Sequence, residues 1–360
     1  MKVCIIGDGL VSLSLANVLM KKDLKIDILV NTKKKIYDKT RTIGISKSNI
    51  DFFNDEIVNI KKILWEIKMI KVLTENSSNK EILNFKNDNK QIFSIIKNYK
   101  LNELLLRNLK KGKNVNFKKK INLENILKEN YNLIVNCDPK HEITNKYFYK
   151  KIEKNYNSYA YTTIINHKKK EKNNIAYQNF TNKGPIAFLP ISNSSTSVIY
   201  SLRSRNINTQ KQIKKLIKKF NPNYLIKKID DCASFRLKSS NLRKYYKNNI
   251  LAFGDLLHKI HPLAGQGFNM SLRDIKLLSE LIDNKLNLGM QIDGSVCYEF
   301  QKNSQDRNYI FATGIDWIYE IFNFESKTKS KFISKTINFI GQKKLINSFF
   351  KKYADNGIRI

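Results

Sequence analysis

The chain has 360 residues, 41% of them apolar, and 66 Lys+Arg against 31 Asp+Glu give it a formal charge of +35. That length and apolar fraction can fill the cores of two or three domains and exclude a disordered chain. The charge favours anionic surfaces in general. Its lysines, however, are scattered through nearly every segment and no aromatic-basic module occurs, so no specific nucleic-acid partner is expected.

Cys4, Cys137, Cys232 and Cys297 lie far apart without a CxxC pair, which suggests neither a zinc site nor a disulfide framework and fits a reducing cytosol. The opening "VCIIGDG" is glycine-broken too early for a signal peptide, and no segment approaches ~18 consecutive apolar residues. The chain is expected not to cross a membrane, although it can lie on one.

Residues 2–6, "KVCII", read as a strand ending at Gly7, and "LVSLSLANVLMKK" after it has helical apolar spacing. A second run, "LKIDILV" at 24–30, follows at the distance of a βαβ unit. Between strand and helix, "GDGLVS" matches the first two glycines of G-x-G-x-x-G. Gly7 permits a tight turn, Gly9 lets backbone approach a pyrophosphate, and the helix start near Leu10 and Val11 offers free N–H groups. Ser12 stands at the third glycine position, where a small residue is needed for packing. The acidic residue expected ~20 residues further on is missing. Asn31 is the nearest polar candidate, either bonding a ribose hydroxyl or capping a turn.

Further along, "KLNELLLRNLKKG" (100–112) predicts an amphipathic helix and "YNLIVNCD" (131–138) a buried strand. Residues 147–235 alternate in short stretches separated by Asn/Ser/Lys-rich turns, as an antiparallel sheet does. A strand returns in "NNILAFGD" (248–255). Then, in "GDLLHKIHPLAGQGFNMSLRD", Gly254 and Asp255 close the strand, Pro262 fixes the chain, and Gly265 and Gly267 free the backbone before a helix with Phe268, Leu272, Ile275 and Leu278 or Leu281 on its apolar face. Such a helix start favours developing negative charge, as on the pyrimidine edge of a reduced flavin. His258 and His261, three apart, can ligate metal with Asp255, but Pro262 interrupts a helix there and no further ligand completes the set. A loop-ordering hydrogen bond and direct catalysis both remain open for them.

This stretch resembles the flavin-binding signature of the class A flavoprotein monooxygenases, and "HPLAGQGFNMSLRD" is most similar to the ubiquinone-biosynthesis hydroxylases among them. "GDG", "RTIGIS" (41–46), "FTNKGPIAFLPIS" (180–192) and "YEFQKNSQDRNYIFATGID" (298–316) resemble the same family in the same order, so the resemblance covers nearly the whole chain. It implies an α/β fold: an FAD-binding Rossmann-like domain of the p-hydroxybenzoate-hydroxylase type (1–146 and 236–300), an inserted antiparallel-sheet substrate domain (147–235) and a C-terminal helical region (301–360).

By the same resemblance Gly7, Gly9, Leu10, Val11 and Ser12 hold the FAD pyrophosphate and Arg41 reaches the cofactor near the phosphates. Gly254 and Asp255 meet the ribityl chain, His258, His261 and Pro262 belong to the signature, and Gly265, Gln266, Gly267, Phe268 and Asn269 border the isoalloxazine. Asp138 matches an Asp-Gly turn implicated in FAD and nicotinamide binding, with Pro139 replacing the glycine. The implied chemistry is hydroxylation of a polyprenylated phenol using NAD(P)H and O2 through a C4a-hydroperoxyflavin. No general base is readable. A lipid substrate implies a cytoplasmic enzyme working peripherally at the inner membrane, beside other ubiquinone-biosynthesis enzymes. The basic amphipathic stretch "SKFISKTINFIGQKKLINSFFKKY" suits either a bilayer or packing on the protein's own core. A halogenase would carry further tryptophans than Trp65 and Trp317. Ser12, Asn31 and Pro139 leave an alternative, a degenerate flavin-fold protein serving as a lipid-binding or scaffolding subunit without turnover.

Overall fold

The computed structural model describes residues 1–30, 38–75, 80–86, 91–119, 121–203 and 209–328, and strand counts are of these residues. Asn31 and the whole C-terminal amphipathic stretch (330–353) lie outside them. The apolar run at the N-terminus becomes β1 (Lys2–Ile6), buried from Val3 onward. A crossover through α1 (Leu10–Leu19) leads to β2 (Lys25–Val30), parallel to β1.

The chain then leaves this sheet. β3 (Thr42–Ser46) and α2 (Lys47–Phe52) are followed by β4 (Leu64–Ile67), β5 (Met69–Thr74), β6 (Lys80–Lys86) and β7 (Phe93–Lys97). α3 (Asn98–Leu109) buries Leu101, Leu105 and Leu109, spaced by four, as its periodicity predicts. β8 (Val115–Lys119), α4 (Leu123–Lys128), β9 (Leu133–Asn136) and α5 (Glu142–Tyr147) complete this half.

Next come β10 (Lys151–His167), β11 (Ile175–Thr181), β12 (Gly184–Pro190), β13 (Ser195–Leu202), α6 (Gln210–Lys219), β14 (Ile226–Ile229) and β15 (Ala233–Leu242). The chain returns through β16 (Tyr246–Lys247), β17 (Ile250–Ala252) and β18 (His258–Lys259) to two long helices, α7 (Gln266–Asn287) and α8 (Gly294–Thr328).

Among the described residues these strands form three sheets. The first runs β16-β17-β9-β1-β2-β8 and is parallel except at β16. From β1 the chain moves outward to β2 and β8, then returns to β9 on the other side of β1. The strand order therefore reverses between β1 and β9, where a parallel sheet opens a crevice at its carboxyl edge. β3, β7 and β4 form a small antiparallel sheet.

The largest sheet runs β18-β15-β10-β13-β12-β11-β5-β6, with β14 paired to β10. It draws β5 and β6 from residues 69–86, well before the alternating 147–235 stretch. β11 pairs with β5 in parallel, so this sheet is not antiparallel throughout. Strand alternation gives it two faces. One carries Ile165, Phe188, Val198 and Tyr200 against Ile213 and Ile217 of α6. The other presents Tyr156, Ser158, Ala160 and Thr162 from β10 with Leu237 of β15, and α8 meets it through Tyr319.

At the amino edge of the parallel sheet, Asp27 is buried with its carboxylate bonded to Tyr131 Oη at 2.7 Å and Lys118 Nζ at 2.9 Å, and with Lys2 Nζ at 3.4 Å. Burial alone would raise its pKa, but the bonds from Lys118, Tyr131 and Asn116 outweigh it and hold the carboxyl below the usual range. A lowered folded pKa contributes stability above the unfolded value, about 3.9, that is lost as pH falls through the folded one. Asp27→Asn is therefore expected to cost about 1–3 kcal/mol at neutral pH and to flatten the acid limb of the melting temperature against pH.

Candidate cofactor and active site

Three loops leave the carboxyl edge of the parallel sheet side by side. The ladder closes with Gly7 N donating to Leu29 O, Cys137 N to Ile6 O and Phe253 N to Asn136 O, each at 2.9 Å. Gly7 has φ +112°, and a Cβ there would lie 3.6 Å from Asp138 N and 3.3 Å from Ser12 Oγ. Ser12 is buried and hydrogen-bonds the Cys137 thiol, whose pKa burial pushes up to about 12. The serine thus performs the packing task of the third motif glycine and adds a bond between loops.

Gly9 is the N-cap of α1 and has no capping side chain to offer, so the first-turn N–H groups of Leu10, Val11 and Ser12 lack intrahelical partners. Nothing lies within 4 Å of where a Gly9 Cβ would sit. Gly254, at φ +65°, would press a Cβ to 3.1 Å from Val11 Cγ1, so the third loop is packed directly on this helix start. Asp255 is exposed between buried Gly254 and Leu256.

Asp138 spends its side chain on its own turn, accepting from Lys140 N at 2.9 Å, while its carbonyl accepts from His141 N and Thr144 Oγ1, each at 3.1 Å. Pro139 occupies the second position of this turn, where a fixed φ suits the geometry and no N–H is needed. The proline is accommodated. Of the three departures that left a non-catalytic scaffold open, Ser12 and Pro139 fit the site.

The second half of the site is the loop before α7. Gly265, in the left-handed region at φ +64°, is the N-cap of α7 and again has no side-chain cap. It lies against β3, its Cβ position 3.3 Å from Gly44 N. The helix starts at Gln266, so Gly267 sits inside its first turn rather than before it, among N–H groups without intrahelical partners. Asn269 locks this arrangement. Its amide donates to Gly44 O at 3.0 Å and Gly265 O at 3.2 Å, and its carbonyl accepts from Ser46 N at 2.9 Å and Asn49 Nδ2 at 3.0 Å. The side chain is consumed in holding β3 to α7, leaving only its backbone for a ligand. Phe268 is half-buried, and Leu272, Ile275, Leu278 and Leu281 are buried as expected.

The two histidines diverge. His258 Nε2 is 2.5 Å from Asp274 Oδ2, whose other oxygen accepts from Asn308 of α8 at 3.0 Å, so His258 fastens the loop to both long helices. Neither ring nitrogen of His261 has a hydrogen-bond partner among the described residues. No group of three or more metal-ligating side chains occurs among the described residues.

Arg41 is exposed, with its guanidinium 5.5 Å from the Phe235 ring and no carboxylate partner among the described residues. Its neighbour Thr42 bonds Ser197 of β13 at 2.8 Å, so β3 also abuts the inner face of the large sheet. That face, β3 and the Pro262–Gly267 loop border one region. The residues fit FAD: the open Gly9 N-cap and the uncapped α7 start offer bare donors, and the buried Gln266 Oε1 lacks a partner among the described residues. Sequence reasoning missed Gly44, Ser197, Tyr156 and Tyr319, which join the site only through tertiary packing.

Residues 163–287, about a third of the chain, match the family model described as FAD binding domain. p-Nitrophenol 4-monooxygenase PnpA from Pseudomonas putida DLL-E4 superposes with a TM-score of 0.79 over 99% of this chain and 98% of its own at 13% identity. Klebsiella pneumoniae HpxO, solved with FAD and uric acid, gives 0.76 over 99% and 97% at 11% identity. The fold is that of these solved proteins, one of them with FAD bound.

In sequence, the chain is 23% identical over 217 residues to the mitochondrial ubiquinone biosynthesis monooxygenase COQ6 of Caenorhabditis elegans, covering 48% of each chain. It is 29% identical over 154 residues to the 3-demethoxyubiquinol 3-hydroxylase of Escherichia coli (strain K12), covering 41% of this chain and 39% of the relative. These alignments span less than half the length of the curated relatives. The resemblance to ubiquinone-biosynthesis hydroxylases read from the sequence is found again in these matches.

Gly9 has φ −78°, open to any residue, and free space for a methyl group. Gly9→Ala is expected to leave the apoprotein's melting temperature unchanged while weakening FAD binding about tenfold or more, measured by flavin titration. Gly265→Ala, strained at positive φ and tight against Gly44, is expected to lower both stability, by about 1–2 kcal/mol, and flavin content.

Proposed function

We propose that this chain is an FAD-dependent monooxygenase hydroxylating the aromatic ring of a polyprenylated phenol in ubiquinone biosynthesis, with NAD(P)H and O2 as co-substrates. The observation that carries the reading is the gathering of the β1, β9 and β17 loops and the α7 start around one crevice, in a chain whose aligned relatives include a ubiquinone biosynthesis monooxygenase and a 3-demethoxyubiquinol 3-hydroxylase.

In this reading the N–H groups of Leu10, Val11 and Ser12 take the pyrophosphate, with Gly7 and Gly9 giving it room, and Arg41 supplies positive charge nearby. Gly254 and Asp255 meet the ribityl chain, and the exposed Asp255 carboxylate is suited to accept from its hydroxyls. The Pro262–Gly267 loop, with Gln266 and Phe268, borders the flavin ring. His258 and Asn269 act at one remove, holding that loop in place. Asp138 orders its turn. Bound FAD, reduced by NAD(P)H, supplies the activation of O2. The chain's own task is to orient the phenol and exclude water, for which the inner face of the large sheet is the natural wall.

A polyprenyl tail partitions into lipid, so the enzyme works from the cytoplasm at the inner-membrane surface, where other ubiquinone-biosynthesis enzymes are its neighbours. No helix among the described residues is long and apolar enough to cross a membrane. On α8, Trp317 and Phe324 are 65% and 61% exposed, side chains suited to a bilayer interface, and the overall charge favours an anionic one.

The purified protein should be yellow, and a short-chain prenylated phenol should stimulate its NAD(P)H oxidation, with one oxygen atom of labelled O2 found in the product by mass spectrometry. Deleting the gene should accumulate one under-hydroxylated quinone precursor. A flavin-loaded protein that leaves such phenols unaltered, in cells that accumulate no precursor, overturns the reading.

A further inference from the structure

His261 is 1% exposed, yet neither of its ring nitrogens has a hydrogen-bond partner among the described residues. Its ring meets Tyr156 edge-on at 4.9 Å and 87°, and lies 4.4 Å from Tyr319 at 31°. The two tyrosine rings also meet each other at 5.1 Å, and the hydroxyls of this three-ring cluster are already engaged: Tyr156 donates to Asp316, and Tyr319 accepts from Arg203 Nε at 3.1 Å. His258, in the same signature and equally buried, uses its Nε2 on Asp274.

An imidazole buried with both nitrogens unmatched is costly, and an apolar side chain would fill the same space without that cost. Its position says what ligand offsets it. His261 directly precedes Pro262 of the flavin-facing loop, while Tyr156 belongs to the inner sheet face, so the ring sits where the two proposed walls of the substrate site meet. Arg203, Glu320 and Lys154 are the charges acting on it. Burial, with Arg203 and Lys154 adding to it, lowers its pKa to about 3, and the ring is neutral, with one donor and one acceptor nitrogen. A neutral imidazole matches a hydroxyl, which can donate to one nitrogen or accept from the other.

We propose that His261 is the hydrogen-bonding partner of the substrate's phenolic hydroxyl and orients the ring against the Pro262–Gly267 loop. This rests on the hydroxylase reading above, and the test separates the two. The full-length, FAD-loaded protein is titrated with 2-prenylphenol and with its methyl ether, 2-prenylanisole, followed by the flavin spectrum. Wild type should bind the phenol about tenfold tighter than the ether, the scale of one good hydrogen bond. His261→Leu should abolish that preference, leave ether affinity within about twofold and not lower the melting temperature, because it removes an unmatched polar group. His261→Gln should retain part of the preference.

Retention of the full phenol preference by His261→Leu overturns this assignment alone. So does loss of both ligands together with a fall in melting temperature, the result of a structural role. A flavin-loaded wild type that binds neither probe overturns the hydroxylase reading and the assignment with it.

Discussion

The first N–H groups of any α-helix have no partner in their own backbone, and the side chain before the helix usually supplies one. At Gly9 and Gly265 this protein places residues that cannot. The consequences spread outward from those two positions. Glycine in place of a capping side chain forgoes only about a few tenths of a kcal/mol at each helix, and leaves N–H groups that an external acceptor can take. The surrounding structure therefore has to hold both helix starts without help from caps, and the rest of the fold can be understood as the means by which it does so.

The means are backbone contact and committed polar side chains. Gly254 admits Val11 against the third loop, and Gly265 admits the backbone of Gly44. Asn269 makes four hydrogen bonds to β3, α2 and its own loop, and the His258–Asp274–Asn308 chain ties the signature to both long helices. All but the Asn269–Gly265 bond join segments more than fifteen residues apart, so the geometry of the crevice depends on tertiary structure and not on any one loop. Precision of this kind is what binding sites require of their supporting residues.

Much of this was legible in the sequence where the relevant physics is local. A β-branched run, two glycines and a 3.6-residue apolar period announce β1, its turn and α1 without reference to the rest of the chain. The Leu101–Leu105–Leu109 spacing of α3 and the apolar face of α7 were readable for the same reason. β5 and β6 were not, because Met69–Thr74 is only partly buried and carries no clean alternation. Its place beside β11 is fixed by a partner a hundred residues away. Site residues divide along the same line. Gly7, Gly9 and Gly265 declare themselves by residue type, whereas the engagement of Asn269 with β3 and the isolation of His261 between Tyr156 and Tyr319 exist only once β3, β10 and α8 are assembled. Ser12 and Pro139 looked like losses against a pattern and are substitutions that their surroundings accept.

The position of FAD in a crystal structure of the loaded protein tests the central claim most directly. The account predicts pyrophosphate oxygens about 3 Å from the amides at the start of α1, and the isoalloxazine edge against Gln266 and Gly267 at the start of α7. A dinucleotide found touching only one of these helix starts, or a folded protein that takes up none, would contradict it.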